Sequence, residues 1–137
     1  MDAEAIAIRK LFQEGNCCSQ ILLILALRYK GEENDPLIRA SSGLCLGMHS
    51  GLVCGTFSAA ALALALFDPK NAAKHMIPQL IERLEETCGG QYGGFNCQDI
   101  TGGAFRPDRC LDIMINTWRT VKQLLSDFGF EDESPAS

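Results

Sequence analysis

The segment that decides the fold runs from Gly15 to Gly31 and reads GNCCSQILLILALRYKG. Its centre, residues 21–27, contains only isoleucine, leucine and alanine, so a helix built from it would be apolar on every side. Such a helix is buried inside a protein. Asn16 is a candidate N-cap, because its side chain can accept a hydrogen bond from the first turn, and Gly31 is a typical helix stop. We therefore predict a central buried helix that ends near Lys30-Gly31.

Start and stop signals on both sides of this segment predict further helices. An amphipathic stretch over residues 3–13 stops at Gly15, and Asp35-Pro36 opens a helix that runs to about Gly43. The next predicted elements are a helix from Gly51 to Phe67 capped by Ser50, and a helix opened by Asp68-Pro69, kinked or split at Pro78 and ended by Gly89-Gly90. The last are a loop over residues 89–94, a single turn capped by Asn96, and a long helix from Pro107 to Phe128-Gly129.

The composition agrees with a helical protein. Hydrophobic residues make up 47 % of the 137 residues but aromatic residues only 7 %, and the most frequent apolar residues, Leu and Ala, favour helices over strands. A chain of this length forms about one domain. We predict an all-α, single-domain bundle of about five to six helices with glycine-rich connections over residues 1–130. The acidic residues 131–137 are predicted to form a disordered tail.

Charge and hydropathy exclude some classes of partner. The formal net charge is −5, and the longest basic run is Arg9-Lys10, so the chain lacks the basic patch that holds nucleic acid. No charged residue lies between Arg39 and Asp68, but the glycines there favour a break near 47–51 and a core helix over a membrane span. The acidic start, Met1-Asp2-Ala3-Glu4, does not resemble a secretory signal. We expect a cytoplasmic protein without a membrane partner.

The cysteine content points to function. The chain has seven cysteines, at positions 17, 18, 45, 54, 88, 97 and 110. The cytosol keeps thiols reduced and an odd number leaves one unpaired, so we do not expect a structural disulfide framework. Cysteine abundance in a reducing compartment indicates metal binding or redox chemistry. The alternative is that the cysteines are small buried apolar residues.

Four of the cysteines fall in the first turns of predicted helices: Cys18, Cys54, Cys97 and Cys110. Free N–H groups and the helix dipole favour a thiolate at such positions, which would lower the pKa of each thiol. Arg106 and Arg109 stand close to Cys110 in the sequence and would act in the same direction. Cys17, Cys45 and Cys88 lie elsewhere in the predicted elements, and we expect them not to take part in the chemistry.

Small residues recur every four positions in the predicted fourth helix, at Gly51, Gly55, Ala59 and Ala63. This stripe permits close approach of another backbone, either a neighbouring helix of the same chain or the helix of a twofold mate. Internal packing is the simpler interpretation. Because dimers are the commonest soluble oligomers, we expect a homodimer.

The cysteine motifs resemble those of a known family. The stretch Gly15-Asn16-Cys17-Cys18-Ser19-Gln20 resembles the opening Gly-x-x-Cys-(Ala/Ser)-Gln of the redox-active family named for its cysteine pattern, C-GCAxxG-C-C. The approach from Gly43 to Gly51, followed by Cys54-Gly55, looks like its central motif, and Asn96-Cys97 and Cys110 look like its last two cysteines. Two positions depart from the pattern, since Thr56 stands where Ala is usual and Ala59 replaces the final glycine.

The resemblance implies a redox role for the same four cysteines. The family is also similar to the helical part of split-Soret cytochromes, which carry c-type haem. This chain contains no Cys-x-x-Cys-His, so we expect no haem c. The family name identifies neither a substrate nor a redox partner.

Three hypotheses for function remain open. In the first, Cys18, Cys54, Cys97 and Cys110 hold an iron–sulfur cluster or another metal ion for electron transfer. In the second, pairs of these cysteines carry out metal-free thiol–disulfide exchange. In the third, the chain is a helical scaffold or dimerisation module whose cysteines are only buried. His49 is a candidate ligand or proton partner, or simply a polar loop residue.

Overall fold

The apolar segment that follows Cys17 forms the central helix of the protein. We describe a computed structural model that covers residues 2–103 and 106–134, and within these residues it contains seven α-helices and no β-strand. The helices are α1 (Ala3–Gln13), α2 (Cys18–Lys30), α3 (Asp35–Ser41), α4 (Gly55–Phe67), α5 (69–92), α6 (Cys97–Thr101) and α7 (Pro107–Asp127). The all-α prediction is confirmed, but the predicted five to six helices are slightly too few, since the single turn predicted at Asn96 is the short helix α6.

The core forms where α2 packs against α4 and α7. Ile21, Leu22, Leu23 and Ala26 of α2 have no exposed surface. They meet Ala60 and Leu64 of α4 and the apolar face of α7 in one contiguous cluster. The apolar run of α2 is therefore buried on all sides, as its sequence predicts.

Helix α5 is continuous through Pro78. Three α-helical segments, Pro69–Asn71, Ile77–Leu84 and Gly90–Tyr92, are joined by single π-helical turns over Ala72–Met76 and Glu85–Gly89. A wider turn just before Pro78 accommodates a residue that cannot donate to the helix. The predicted stop at Gly89-Gly90 is wrong: the helix runs on to Tyr92 and ends at Gly93, whose φ is +79°.

Several helix starts differ from the prediction, and two of the differences position cysteines. Cys17, not Asn16, is the N-cap of α2, and its backbone N–H donates to Gln20 Oε1 at 3.0 Å. Helix α4 begins at Gly55 with Cys54 as its N-cap, four residues later than predicted. Ser50 cannot cap α4 because residues 47–51 form a separate irregular turn.

The small-residue stripe of α4 lies inside the protein. Gly55, Ala59 and Ala63 are buried within the single chain, where α4 packs against α2, and Gly51 lies outside the helix. The stripe therefore serves internal packing and is not available as a dimer seam. The homodimer itself stays a prediction.

The C-terminal segment returns to the body of the protein. The backbone N–H of Glu133 donates to the Tyr29 carbonyl oxygen at 2.7 Å, and the Tyr29 hydroxyl donates to the Phe130 carbonyl oxygen at 2.8 Å. Of the predicted disordered tail, residues 135–137 lie outside the described residues. In the described part of the chain, no helix has both the length and the apolar character needed to cross a membrane.

Candidate functional site

The N-terminal ends of four helices converge on one cavity of about 550 Å³. Six cysteines line this cavity. They lie at the starts of α2, α4, α6 and α7 and in the segment between α3 and α4: Cys17, Cys18, Cys45, Cys54, Cys97 and Cys110. The structure thus brings together all four predicted site cysteines. Cys88 is buried elsewhere, near the end of α5.

A single β-bridge sets the positions of Cys54 and Cys97. Val53 pairs with Asn96 in antiparallel fashion. The backbone N–H of Cys54 donates to the Phe95 carbonyl oxygen at 2.9 Å, and that of Cys97 donates to the Leu52 carbonyl oxygen at 2.6 Å. The bridge therefore holds the starts of α4 and α6 next to each other, and with them Cys54 and Cys97.

Gly55 allows Cys18 to approach the start of α4. A Cβ atom at this position would lie 2.6 Å from the Leu44 carbonyl oxygen and 3.0 Å from Cys18 Sγ. Only a residue without a side chain leaves room for both neighbours. The absence of a side chain at Gly55, the residue after Cys54, therefore lets the Cys18 sulfur lie beside the start of α4.

Cys18 and Cys54 line the same cavity, and each shifts the pKa of the other. A hydrogen bond from Cys54, helped by the Thr56 hydroxyl and the backbone N–H groups of Ser19 and Leu46, lowers the pKa of Cys18 to about 6, although burial acts in the opposite direction. The same hydrogen bond, together with burial and the negative charge of Cys18, raises the pKa of Cys54 far above that of an ordinary thiol. The pair therefore favours the thiolate form at Cys18 and the protonated form at Cys54.

The expectation that all four helix-start cysteines have a lowered pKa is wrong for three of them. Burial raises the pKa of Cys97, and burial with the charge of Cys18 raises the pKa of Cys110 to about 11. Desolvation outweighs the helix dipole at these positions. The backbone of Arg106 acts to lower the pKa of Cys110 but does not offset these effects. The guanidinium groups of the two nearby arginines are engaged elsewhere, since Arg106 pairs with Asp108 at 3.1 Å and Arg109 donates to the Ile100 carbonyl oxygen at 2.7 Å.

Cys17 and Cys45 are joined in a disulfide, with Cα atoms 6.2 Å apart across 28 residues of sequence. The buried Ser19 hydroxyl lies 3.5 Å from Cys17 Sγ and 2.8 Å from Cys45 Sγ, and it donates to the Ser41 carbonyl oxygen. Our expectation that the chain lacks a structural disulfide is therefore wrong for this pair. That Cys17 and Cys45 take no part in the chemistry stays a prediction. The pairing depends on how the segment after α3 folds back over the start of α2, which local sequence does not reveal.

An unusual backbone turn follows this disulfide. Four consecutive residues, from Leu46 to His49, have φ between 54° and 61°, and only one of them, Gly47, is a glycine. Left-handed conformations are unfavourable for residues with a side chain, so the surrounding contacts must hold the turn. The Leu52 N–H donates to the Gly47 carbonyl oxygen at 3.0 Å, and His49 Nε2 lies 3.0 Å from the Ser42 carbonyl oxygen. As a result, Leu46 and His49 border the cavity.

A metal centre requires several ligand side chains close together. Thiolates are suitable ligands for zinc and for iron–sulfur clusters. Within residues 2–103 and 106–134, however, no three His, Cys, Asp or Glu side chains are grouped closely enough to hold one metal ion. The side chains as placed do not fit a metal, and a four-cysteine metal site stays a prediction.

Sequence reasoning missed three contributors to this site besides Cys17 and Cys45. Thr56 is buried and hydrogen-bonds with both thiols of the Cys18–Cys54 pair, and its only signal was its departure from the alanine usual in the family. Ser19 lies against the disulfide, and Leu46 borders the cavity. Ser19 occupies the Ala/Ser position of the opening motif, but that motif does not indicate a contact with Cys45, and Leu46 belongs to no motif.

Fold and site together define a small helical protein in which six of the seven cysteines line one cavity. The chain belongs to the family described as "Putative redox-active protein (C_GCAxxG_C_C)", whose model matches residues 16–124. The resemblance read from the cysteine motifs is therefore confirmed. No curated protein and no solved structure matches the chain.

Proposed function

We propose that the protein is a metal-free thiol–disulfide redox protein in which Cys18 is the nucleophile and Cys54 is its resolving partner. The observation that carries this proposal is the position of Cys18 and Cys54 on the wall of one cavity, with Cys18 Sγ packed against the start of α4, directly after Cys54. The lowered pKa of Cys18 agrees with this assignment. The thiolate is the reactive form of cysteine, and a neighbouring thiol can complete the exchange. The second cysteine pair on the same cavity, the Cys17–Cys45 disulfide, supports dithiol–disulfide chemistry at this place.

The reaction transfers two electrons from the two thiols to a disulfide of the acceptor. The Cys18 thiolate attacks one sulfur of the acceptor, forms a mixed disulfide and displaces the first acceptor thiolate. Cys54 then loses its proton to a departing thiolate and attacks the Cys18 sulfur. The second acceptor thiolate leaves, and a Cys18–Cys54 disulfide remains.

The protonation states of the pair suit this order of events. The high pKa of Cys54 arises first from its hydrogen bond with Cys18 and also from the charge of the Cys18 thiolate. Both influences disappear when Cys18 enters the mixed disulfide. The resolving thiol therefore becomes easier to deprotonate only after the first step, when its attack is needed.

The proposal is tested by oxidising the purified protein with one equivalent of diamide and mapping its disulfides by peptide mass spectrometry. We expect the loss of two free thiols and the appearance of a Cys18–Cys54 disulfide. Cys18→Ser should prevent this loss. Cys88→Ser should not, because Cys88 is buried outside the cavity and its pKa is raised to about 11.

Two outcomes would contradict the proposal. One is that Cys18 and Cys54 stay unpaired while other thiols are oxidised. The other is that the protein purified without chelators contains stoichiometric metal that is lost in Cys97→Ser and Cys110→Ser, which would favour the four-cysteine metal centre.

A further inference from the structure

The cavity that contains the thiol pair is lined by uncharged side chains. Among the described residues that line it, none is Asp, Glu, Lys or Arg, and His49 at its border is exposed and lies 3.0 Å from the Ser42 carbonyl oxygen. Apolar side chains such as Phe12, Ile113 and Met114 form much of the wall. An anionic ligand would lose its hydration here without meeting a positively charged side chain of Lys or Arg.

The polar groups of the wall are largely occupied by the protein itself. Asn16 Nδ2 donates to the Leu11 carbonyl oxygen at 3.0 Å, and Gln20 Oε1 accepts from the backbone N–H of Cys17 at 3.0 Å. The Thr101 hydroxyl donates to the Cys97 carbonyl oxygen at 2.8 Å. Few hydrogen-bonding groups therefore remain to bind a strongly polar molecule.

The volume of the cavity suits a small molecule. Its value of about 550 Å³ lies within the usual range for small-ligand sites. Leu46, which is 49 % exposed, adds an apolar surface at the border.

We infer that the cavity selects compact, largely apolar organic disulfides without negative charge as the oxidised substrate of the Cys18–Cys54 pair. The inference rests on the proposed function and specifies its substrate class. The Cys18 thiolate attacks the substrate disulfide and releases one organic thiolate. Cys54 then gives its proton to that thiolate and displaces the second, so that one substrate disulfide becomes one organic thiol and one organic thiolate and the protein gains one disulfide. An anionic disulfide is disfavoured by the uncharged wall, by the thiolate itself and by the net charge of −5.

The test compares two aromatic disulfides that differ in charge, 2,2′-dipyridyl disulfide, which is neutral, and 5,5′-dithiobis(2-nitrobenzoate), which is a dianion. Each releases a coloured thiol, and each rate is divided by the rate of the same compound with 2-mercaptoethanol. We expect the normalised rate of the neutral compound to exceed that of the dianion by at least about tenfold, because only the dianion must be desolvated without a partner. The measurement is repeated in about 1 M NaCl, where screening over about 3 Å removes the long-range effect of net charge.

A matched pair of variants separates the charge of the cavity from the charge of the whole protein. Leu46→Lys adds a cation at the cavity border, whereas Leu62→Lys adds the same charge at an exposed position of α4 outside it. We expect Leu46→Lys to raise the rate of the dianion by several-fold and Leu62→Lys to leave it near that of the parent.

The outcomes distinguish this inference from the proposed function. The substrate assignment is overturned if the two compounds give equal normalised rates, or if the two lysine variants have equal effects. The proposed function still stands in that case if Cys18→Ser abolishes the reaction. If Cys18→Ser leaves both rates unchanged, Cys18 is not the reacting thiol and the proposed function fails together with the inference.

Discussion

Thr56 illustrates how a single residue adjusts the chemistry of the thiol pair. Its buried hydroxyl hydrogen-bonds with both Cys18 and Cys54, and through the first of these bonds it favours the thiolate form of Cys18. Alanine, the residue usual in the family at this position, cannot form these bonds. The same hydroxyl also acts to lower the pKa of Cys54, so Thr56 favours the thiolate form at both sulfurs and does not by itself decide which one holds the proton.

At the residue scale we predict a distinct pH dependence of alkylation. The thiolate fraction of Cys18 should rise with pH through about 6, the pKa of this thiol, so iodoacetamide should label Cys18 alone near neutral pH. Thr56→Val should raise that pKa and slow labelling at low pH by about tenfold or more, since hydrogen bonds to charged groups contribute about 1.5–3 kcal/mol.

Peptide mass spectrometry across a pH series provides the measurement. Thr56→Ser, which keeps the hydroxyl, should retain the profile of the parent. The interpretation is wrong if valine and serine at this position give the same profile, or if Cys110, whose pKa is raised to about 11, is labelled first.

At the scale of elements, helix starts bring the cysteines together. Cys18 and Cys97 are the first residues of α2 and α6, and Cys54 is the N-cap of α4. The Val53–Asn96 bridge connects the start of α4 to that of α6, and the close approach at Gly55 connects it to that of α2. The site is thus built by short contacts between the ends of helices rather than by any one helix.

The close approach at Gly55 leads to a prediction about this element. Gly55→Ala would place a Cβ 2.6 Å from the Leu44 carbonyl oxygen and 3.0 Å from Cys18 Sγ, so the start of α4 or the Cys18 side chain must move. We expect a loss of about 1–3 kcal/mol in the free energy of unfolding, as for other overpacked sites, together with slower labelling of Cys18 at neutral pH.

Gly43→Ala is the matched control, because a Cβ at Gly43 would have no atom within 4 Å. We expect this control to match the parent in its free energy of unfolding, measured with denaturant, and in its rate of alkylation. The packing argument fails if both alanine variants behave alike.

At the scale of the whole molecule, the Cys17–Cys45 disulfide ties the central helix to the segment that borders the cavity. It closes a loop with a sequence separation of 28 and precedes the left-handed turn over residues 46–49. A cross-link of this length stabilises a fold by restricting the unfolded chain. It also anchors one end of a turn whose backbone is intrinsically unfavourable.

Cys45→Ala should therefore lower the free energy of unfolding by about 3–4 kcal/mol relative to the oxidised parent, as estimated from the loop length. The comparison is made by urea unfolding without reductant. Adding dithiothreitol should destabilise the parent but not the variant. Cys88→Ala removes a similar side chain without breaking a disulfide, and its stability should still depend on reductant. A parent whose unfolding is insensitive to reductant would contradict the prediction.

The sequence by itself determined the helical class, the central helix, the start of α7 at Pro107 and the family. These features depend on local signals, namely apolar runs, caps, prolines and the spacing of cysteines along the chain. Tertiary structure alone decided which cysteines pair, since the Cys17–Cys45 disulfide and the Cys18–Cys54 hydrogen bond join residues far apart in sequence. It also decided their acidity, because burial opposes the helix dipole and its magnitude depends on what packs around each sulfur.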